Sequence, residues 1–161
     1  MSLEFDSLEH TQYMREALRE AETALQQDER PIGAVIVHRG KIVGRGRAQQ
    51  TKRHSGVGHA ELNALIQAER YLSDHKHECV LYSTLEPCVM CLGASVMSDI
   101  VAVVFAMPDR LTNPSEMMAL AYVKRHVLHY VGGVLENECE ALWVRTYPDE
   151  LRLLREGRKD S

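Results

Sequence analysis

His59, Cys88 and Cys91 are the side chains of this 161-residue chain whose types and spacing fit chemistry, together with a carboxylate, Glu61, two positions beyond the histidine. One imidazole and two thiolates make a three-ligand zinc set. Such a set leaves a fourth position for water, and an open position marks catalytic rather than structural zinc. Zinc so held lowers the pKa of its water toward neutrality. The chain therefore reads as a hydrolytic enzyme, with three metal ligands and one proton carrier.

Cys88 and Cys91 are three residues apart near the start of an apolar stretch, so on a helix they face the same way and can grip one ion. Pro87 suits the beginning of that helix because its missing N–H would go unpaired there, and the helix dipole helps to keep the thiolates charged. The helix is expected to run from about Cys88 to Met97. His59 opens a second stretch in which Ala60, Leu62, Ala64, Leu65 and Ala68 fall on one helical face. Residues two apart do not share a face in a regular helix, so spacing alone does not bring Glu61 beside the metal.

The thiol pair has two other readings, a redox couple or half of a structural zinc knuckle. A knuckle needs a second pair of ligands. The remaining cysteines, Cys79 and Cys139, lie far apart in apolar surroundings that suit buried free thiols. A redox couple wants a thioredoxin-like context, which the chain supports poorly.

The elements that must position these groups alternate. Met14, Ala17, Leu18, Ala21 and Leu25 form a helical stripe of core type. Gly33–Val37 and Lys41–Gly46 read as strands around a tight turn near Arg39 and Gly40. The His59 helix, a strand at Cys79–Ser83, the Cys88 helix and a strand at Ile100–Phe105 follow. Apolar strands interleaved with helices indicate a layered α/β sandwich with a largely buried sheet. Farther on, Pro108, Asn113 and Pro114 mark a loop, Val127–Val131 a further strand and Glu136–Thr146 a helix. The polar tail from Pro148 to Ser161 carries Leu151, Leu153 and Leu154 at partly helical spacing and is expected as a peripheral helix. The length suits a single domain over 1–161.

No apolar run reaches membrane-spanning length, and Met1 to Glu9 lacks the pattern of a signal peptide. A cytoplasmic protein with no membrane partner is expected. Four cysteines are too few for a disulfide scaffold, and a reducing compartment suits zinc thiolates.

His59-Ala60-Glu61 and Pro87-Cys88-Val89-Met90-Cys91 match the H-x-E and P-C-x-x-C signature by which zinc nucleoside and nucleobase deaminases are known. The stretch Leu81-Tyr82-Ser83-Thr84-Leu85-Glu86-Pro87-Cys88-Val89-Met90-Cys91-Leu92-Gly93-Ala94 resembles the tRNA adenosine deaminase, guanine deaminase and fungal cytosine deaminase branch of the cytidine deaminase-like superfamily. Pro31 to Val37 and Gly44-Arg45-Gly46 resemble that branch too, so the likeness runs from about Met14 to Phe105. It implies a three-layer α/β/α sandwich around a central mixed sheet of about five strands. It implies Zn2+ on His59, Cys88 and Cys91, with Glu61 carrying protons from water to a ring nitrogen and then to the departing amine. It also implies a homodimer, to which the apolar Cys88 helix is a plausible contributor.

The chain departs from the branch where substrate is recognised. The branch usually carries an Asn at the position of Ala48, so that contact is missing here. Gln49, Gln50 or His54 stand near enough in sequence to replace its hydrogen bonds. Candidate substrate contacts are Ala60, Ala48, Gln49, His54 and Glu86. Ser55-Gly56-Val57-Gly58 replaces the Asp-Pro-Thr that tends to precede the His-Ala-Glu, and Met107 to Pro114 differs from the family-like segment.

Charge votes weakly against nucleic acid: 19 basic residues face 23 acidic ones, a net of -4. Arg45, Arg47, Lys52, Arg53 and His54 nevertheless cluster near the presumed mouth of the site, while Lys124, Arg125, Arg155, Arg158 and Lys159 are ambiguous. The leading expectation is deamination of a small free heterocycle, a nucleobase or nucleoside, with release of ammonia. The alternative is adenosine-to-inosine conversion in a tRNA anticodon, and the non-enzyme alternative is an inactive zinc-stabilised binding module.

Overall fold

Five strands and seven helices, in a computed structural model that describes residues 5–158, form three layers. Met1 to Glu4 and Lys159 to Ser161 lie outside the described residues, and with them part of the acidic start and Lys159 of the tail. The strands are β1 (Gly33–His38), β2 (Lys41–Arg47), β3 (Val80–Leu85), β4 (Ala102–Met107) and β5 (His129–Val131), in the spatial order β2-β1-β3-β4-β5. β1 pairs antiparallel with β2 and β3, whereas β3, β4 and β5 run parallel. The sheet is therefore mixed and five-stranded, as expected.

Every residue of β1, β3 and β4 is buried, which is why these strands read as unbroken apolar runs. Their alternate side chains feed two cores. Val35, Val37, Val80, Tyr82 and Val104 meet α1 (His10–Gln26), α6 (Glu136–Val144) and α7 (Pro148–Glu156) on one face. Ala34, Ile36, Leu81, Val103 and Phe105 meet α3 (Ala60–Asp74), α4 (Val89–Met97) and α5 (Ala121–His126) on the other.

Small residues let α3 approach the sheet at backbone distance. A Cβ on Gly46 would stand 2.1 Å from the Ala60 carbonyl oxygen and 2.4 Å from the Ala64 nitrogen. The glycines of β2 and the Ala60, Ala64, Ala68 face of α3 thus fix where that helix begins.

Two short elements escape periodicity, the one-turn α2 (Gln50–Arg53) and α5, because four or six residues do not complete a pattern. The tail does form a helix, but α7 is not peripheral. Leu151 and Leu154 are buried in the core beside Trp143, so the apolar side of this amphipathic segment is used inside the molecule.

Candidate active site

Both motif segments begin helices. His59 caps α3 with an extended backbone (φ -78°, ψ 149°), and Cys88 caps α4 (φ -59°, ψ 170°). Pro87 accordingly stands just before the cap rather than in the first turn. The extended His59 also resolves the spacing of Glu61. The rule that residues two apart point to different faces holds inside a helix, and His59 is outside it. Glu61, in the first turn, therefore lines the same cavity as His59 and Cys88.

His59 Nδ1 stands 3.6 Å from Cys88 Sγ, and one ligand atom from each of His59, Cys88 and Cys91 falls within 4.8 Å of the others. Cys91 is fully buried. The Cys91 thiol hydrogen-bonds to Cys88 and, despite burial, leaves the Cys88 pKa lowered to about 4, with His59 helping. The same bond, burial and nearby Glu61 push Cys91 up. His59 is raised, chiefly by its bond to Cys88 and against its own burial. A thiolate, a thiol and an imidazole sharing protons at this spacing are the borderline-soft donors that a zinc ion takes up once it displaces those protons. The donor set fits the metal.

Around it the fold supplies supports. Gln50 Nε2 lies 3.3 Å from His59 Nε2, the ring nitrogen facing away from Cys88. Gln50 begins α2, whose Thr51 and Lys52 amides donate to the buried Glu29 carboxylate at 3.0 and 2.7 Å. Ser83 Oγ donates to Glu61 Oε1 at 3.0 Å from the middle of the sheet. Glu61 is 3% exposed, and burial raises its pKa, with the negative Cys88 adding to the effect.

These groups open on a cavity of about 280 Å3 at the carboxyl ends of β3 and β4, where open α/β sheets bind ligands. Ile32, Leu85, Leu111, Trp143 and Leu154 give it apolar walls. Arg30 donates to both carboxylate oxygens of Glu150 (2.5 and 3.2 Å), and this ion pair from β1's approach and α7 also borders it.

The candidate contacts divide. Ala48, Ala60 and Glu86 line the cavity. Glu86 already accepts from Tyr130 Oη (2.7 Å) and the Asp109 amide (2.9 Å), so both its oxygens are engaged. Gln49 lines a neighbouring cleft with Arg45, Arg47 and Arg53, and His54 is exposed at the end of α2. Sequence reasoning missed Glu29, Arg30, Asp109, Trp143 and Glu150, which no local motif announces. Cys79 and Cys139 are free and buried, their pKa values raised by burial to about 11 and about 12.

Residues 7–107 match the family model described as the cytidine and deoxycytidylate deaminase zinc-binding region. The chain is 40% identical over 131 residues to the tRNA-specific adenosine deaminase of Bacillus subtilis, covering 79% of this chain and 81% of that relative. A solved structure from studies of A-to-I editing by tRNA:A34 deaminases at the wobble position of transfer RNA superposes with a TM-score of 0.73 at 29% identity, over 82% of this chain and 99% of that one. The guanine deaminase from Bacillus subtilis gives a TM-score of 0.59 at 29% identity, over 70% of this chain and 71% of that one.

Proposed function

The chain belongs to the cytidine and deoxycytidylate deaminase zinc-binding family, and from that membership we propose that it deaminates adenosine to inosine in transfer RNA. It is a zinc-family deaminase; the finer assignment is supported by the single observation of 40% identity across four-fifths of a tRNA-specific adenosine deaminase. This reverses the preference for a small free heterocycle drawn from net charge and from the Asn missing at Ala48. Whole-chain charge averages over faces, whereas the exposed Lys52 and Arg53 stand on α2, beside the cavity that Gln50 lines.

His59, Cys88 and Cys91 hold the zinc in this proposal, and Glu61 is the acid–base group. Zinc bound there supplies Lewis acidity and an activated water. Glu61 takes a proton from the attacking water and gives it to the ring nitrogen beside the attacked carbon, then passes the proton of the new hydroxyl to the amine, so that the C–N bond breaks and ammonia leaves as the carbonyl forms. Its buried carboxyl suits this because burial raises its pKa and so makes it a stronger base than a carboxylate in water. Gln50 holds the far side of the His59 ring, and the apolar walls take one flipped-out base with water excluded.

A small-heterocycle deaminase is the second reading. The buried Ala48 offers the substrate no side-chain hydrogen bond, and the Arg30–Glu150 pair with α7 narrows the mouth. Inosine formation in bulk tRNA, measured against ammonia release from free bases and nucleosides, separates the two. Inosine is expected; turnover of a free base with no inosine in tRNA would overturn the tRNA reading. No described helix is long and apolar enough to cross a membrane. Exposed Ile66 and Met97 beside a groove between α3 and α4 support a homodimer.

A further inference from the structure

At the far end of α3 three metal-ligand side chains converge that the active site does not use. We propose that His38, His75 and Glu78 form a second binding site for a divalent transition-metal ion of the Zn2+ or Ni2+ kind, which staples the end of β1 to the end of α3. One ligand atom from each of the three lies within 4.8 Å of the others. α3 is 15 residues long, so about 22 Å separates this cluster from the capping His59.

The three residues come from separate segments: His38 ends β1, His75 caps the carboxyl end of α3, and Glu78 precedes β3. His38 is 3% exposed and fixed from behind, its Nδ1 lying 2.7 Å from Tyr71 Oη while its Nε2 reaches Glu78 Oε2 at 2.9 Å. A ligating histidine is ordinarily held in this way, with its second nitrogen on an outer partner that sets the tautomer. The His75 ring stands 4.4 Å from the His38 ring and 4.3 Å from that of Tyr71. Two imidazoles and a carboxylate make an N2O set of the type that takes zinc and nickel and leaves positions for water.

Charge agrees with the geometry. His38 Nε2 and the Arg39 guanidinium both meet the Glu78 carboxylate at one oxygen, Oε2. Arg39 donates to the same Glu78 oxygen at 2.9 Å, but its side chain is 58% exposed and can swing into water as a cation arrives. The carboxyl end of α3 also favours positive charge. None of the three residues borders the 280 Å3 cavity, so the second ion is a staple and takes no part in deamination.

The test uses the zinc-loaded protein, dialysed against Zn2+ and separately against Ni2+, with bound metal counted by plasma mass spectrometry. Two equivalents per chain are expected, falling to one in His75→Gln and in Glu78→Gln and remaining two in His77→Ala, an exposed neighbour on the same loop. Added metal should raise Tm by about 5–10 °C when the free ion exceeds Kd a hundredfold, in the wild type and not in the two site variants. Co2+ separates the centres by colour, since only the thiolate site gives sulfur-to-metal charge transfer. One equivalent in the wild type at submillimolar free metal, or two in both site variants, would overturn the proposal and leave a hydrogen-bonded cluster.

Discussion

The two ends of α3 carry similar inventories and opposite surroundings. At the amino end His59 meets two cysteines; at the carboxyl end His75 meets a histidine and a glutamate. The amino-end group opens on a cavity that a carboxylate outside the group, Glu61, also lines. The carboxyl-end group is packed by Tyr71 and Arg39, and its one carboxylate is already held by His38 and Arg39. Ligands therefore do not make a reaction. What distinguishes the proposed reactive end is unfilled volume beside a buried acid whose pKa burial has raised.

The sharpest way to break this contrast is to neutralise one carboxylate at each end. Glu61→Gln should keep its zinc and lose about 10²–10⁴-fold in turnover, the usual worth of a general acid–base group. Glu78→Gln should leave turnover within about twofold, because the group lies about 22 Å away. Metal analysis beside steady-state rates checks both. Equal activity losses would show that the two ends act alike, and normal turnover in Glu61→Gln would remove the acid–base assignment. Cys88→Ala should by contrast lose bound zinc together with activity.

A second change tests whether the position of α3 is what brings the amino end into register. Gly46→Ala places a methyl 2.1 Å from the Ala60 carbonyl oxygen, so the helix start must move. Overpacking of this kind costs about 1–3 kcal/mol. The expected result is a Tm lower by about 2–12 °C, at 2–4 °C per kcal/mol for a chain of this size, with turnover depressed and the far cluster unaffected. Unchanged Tm and turnover would mean that the helix does not depend on this contact.

How much of this could be read from the sequence follows from where each group comes from. His59, Cys88 and Cys91 lie in two short motifs, each at the start of an apolar helix, so type and spacing point to them, whereas Glu61 is pointed to by the family resemblance. Helical spacing leaves open whether Glu61 reaches the site, because capping geometry is not written in periodicity. β1, β3 and β4 were legible as apolar runs because both faces are covered. The cavity wall is not: Arg30, Asp109, Trp143 and Glu150 come from four segments that only the tertiary fold assembles. α7 looked peripheral because its few leucines sit in a polar stretch, yet Leu154 both enters the core and walls the cavity.

The smallest effect probes α2, the support beneath the amino end. Glu29 is buried, which raises its pKa, but the Lys52, Thr51 and Gln50 amides outweigh burial and leave it below its ordinary 4.5. A depressed folded-state pKa means that the carboxylate stabilises the fold above the ordinary value, and that this contribution disappears as the pH falls through the lower folded one. Glu29→Gln should therefore lose about 1–2 kcal/mol at pH 7, where two hydrogen bonds from backbone amides lose their charged acceptor, and the deficit should close as the pH drops below 4.5. Denaturant unfolding of both proteins across that range measures the gap. Because α2 carries Gln50 to the His59 ring, the variant should also bind zinc more weakly at neutral pH, by less than the loss seen on removing a cysteine. A gap that stayed constant through acid pH would mean that Glu29 acts by shape alone, and that His59 is oriented by α3 and the metal without help from α2.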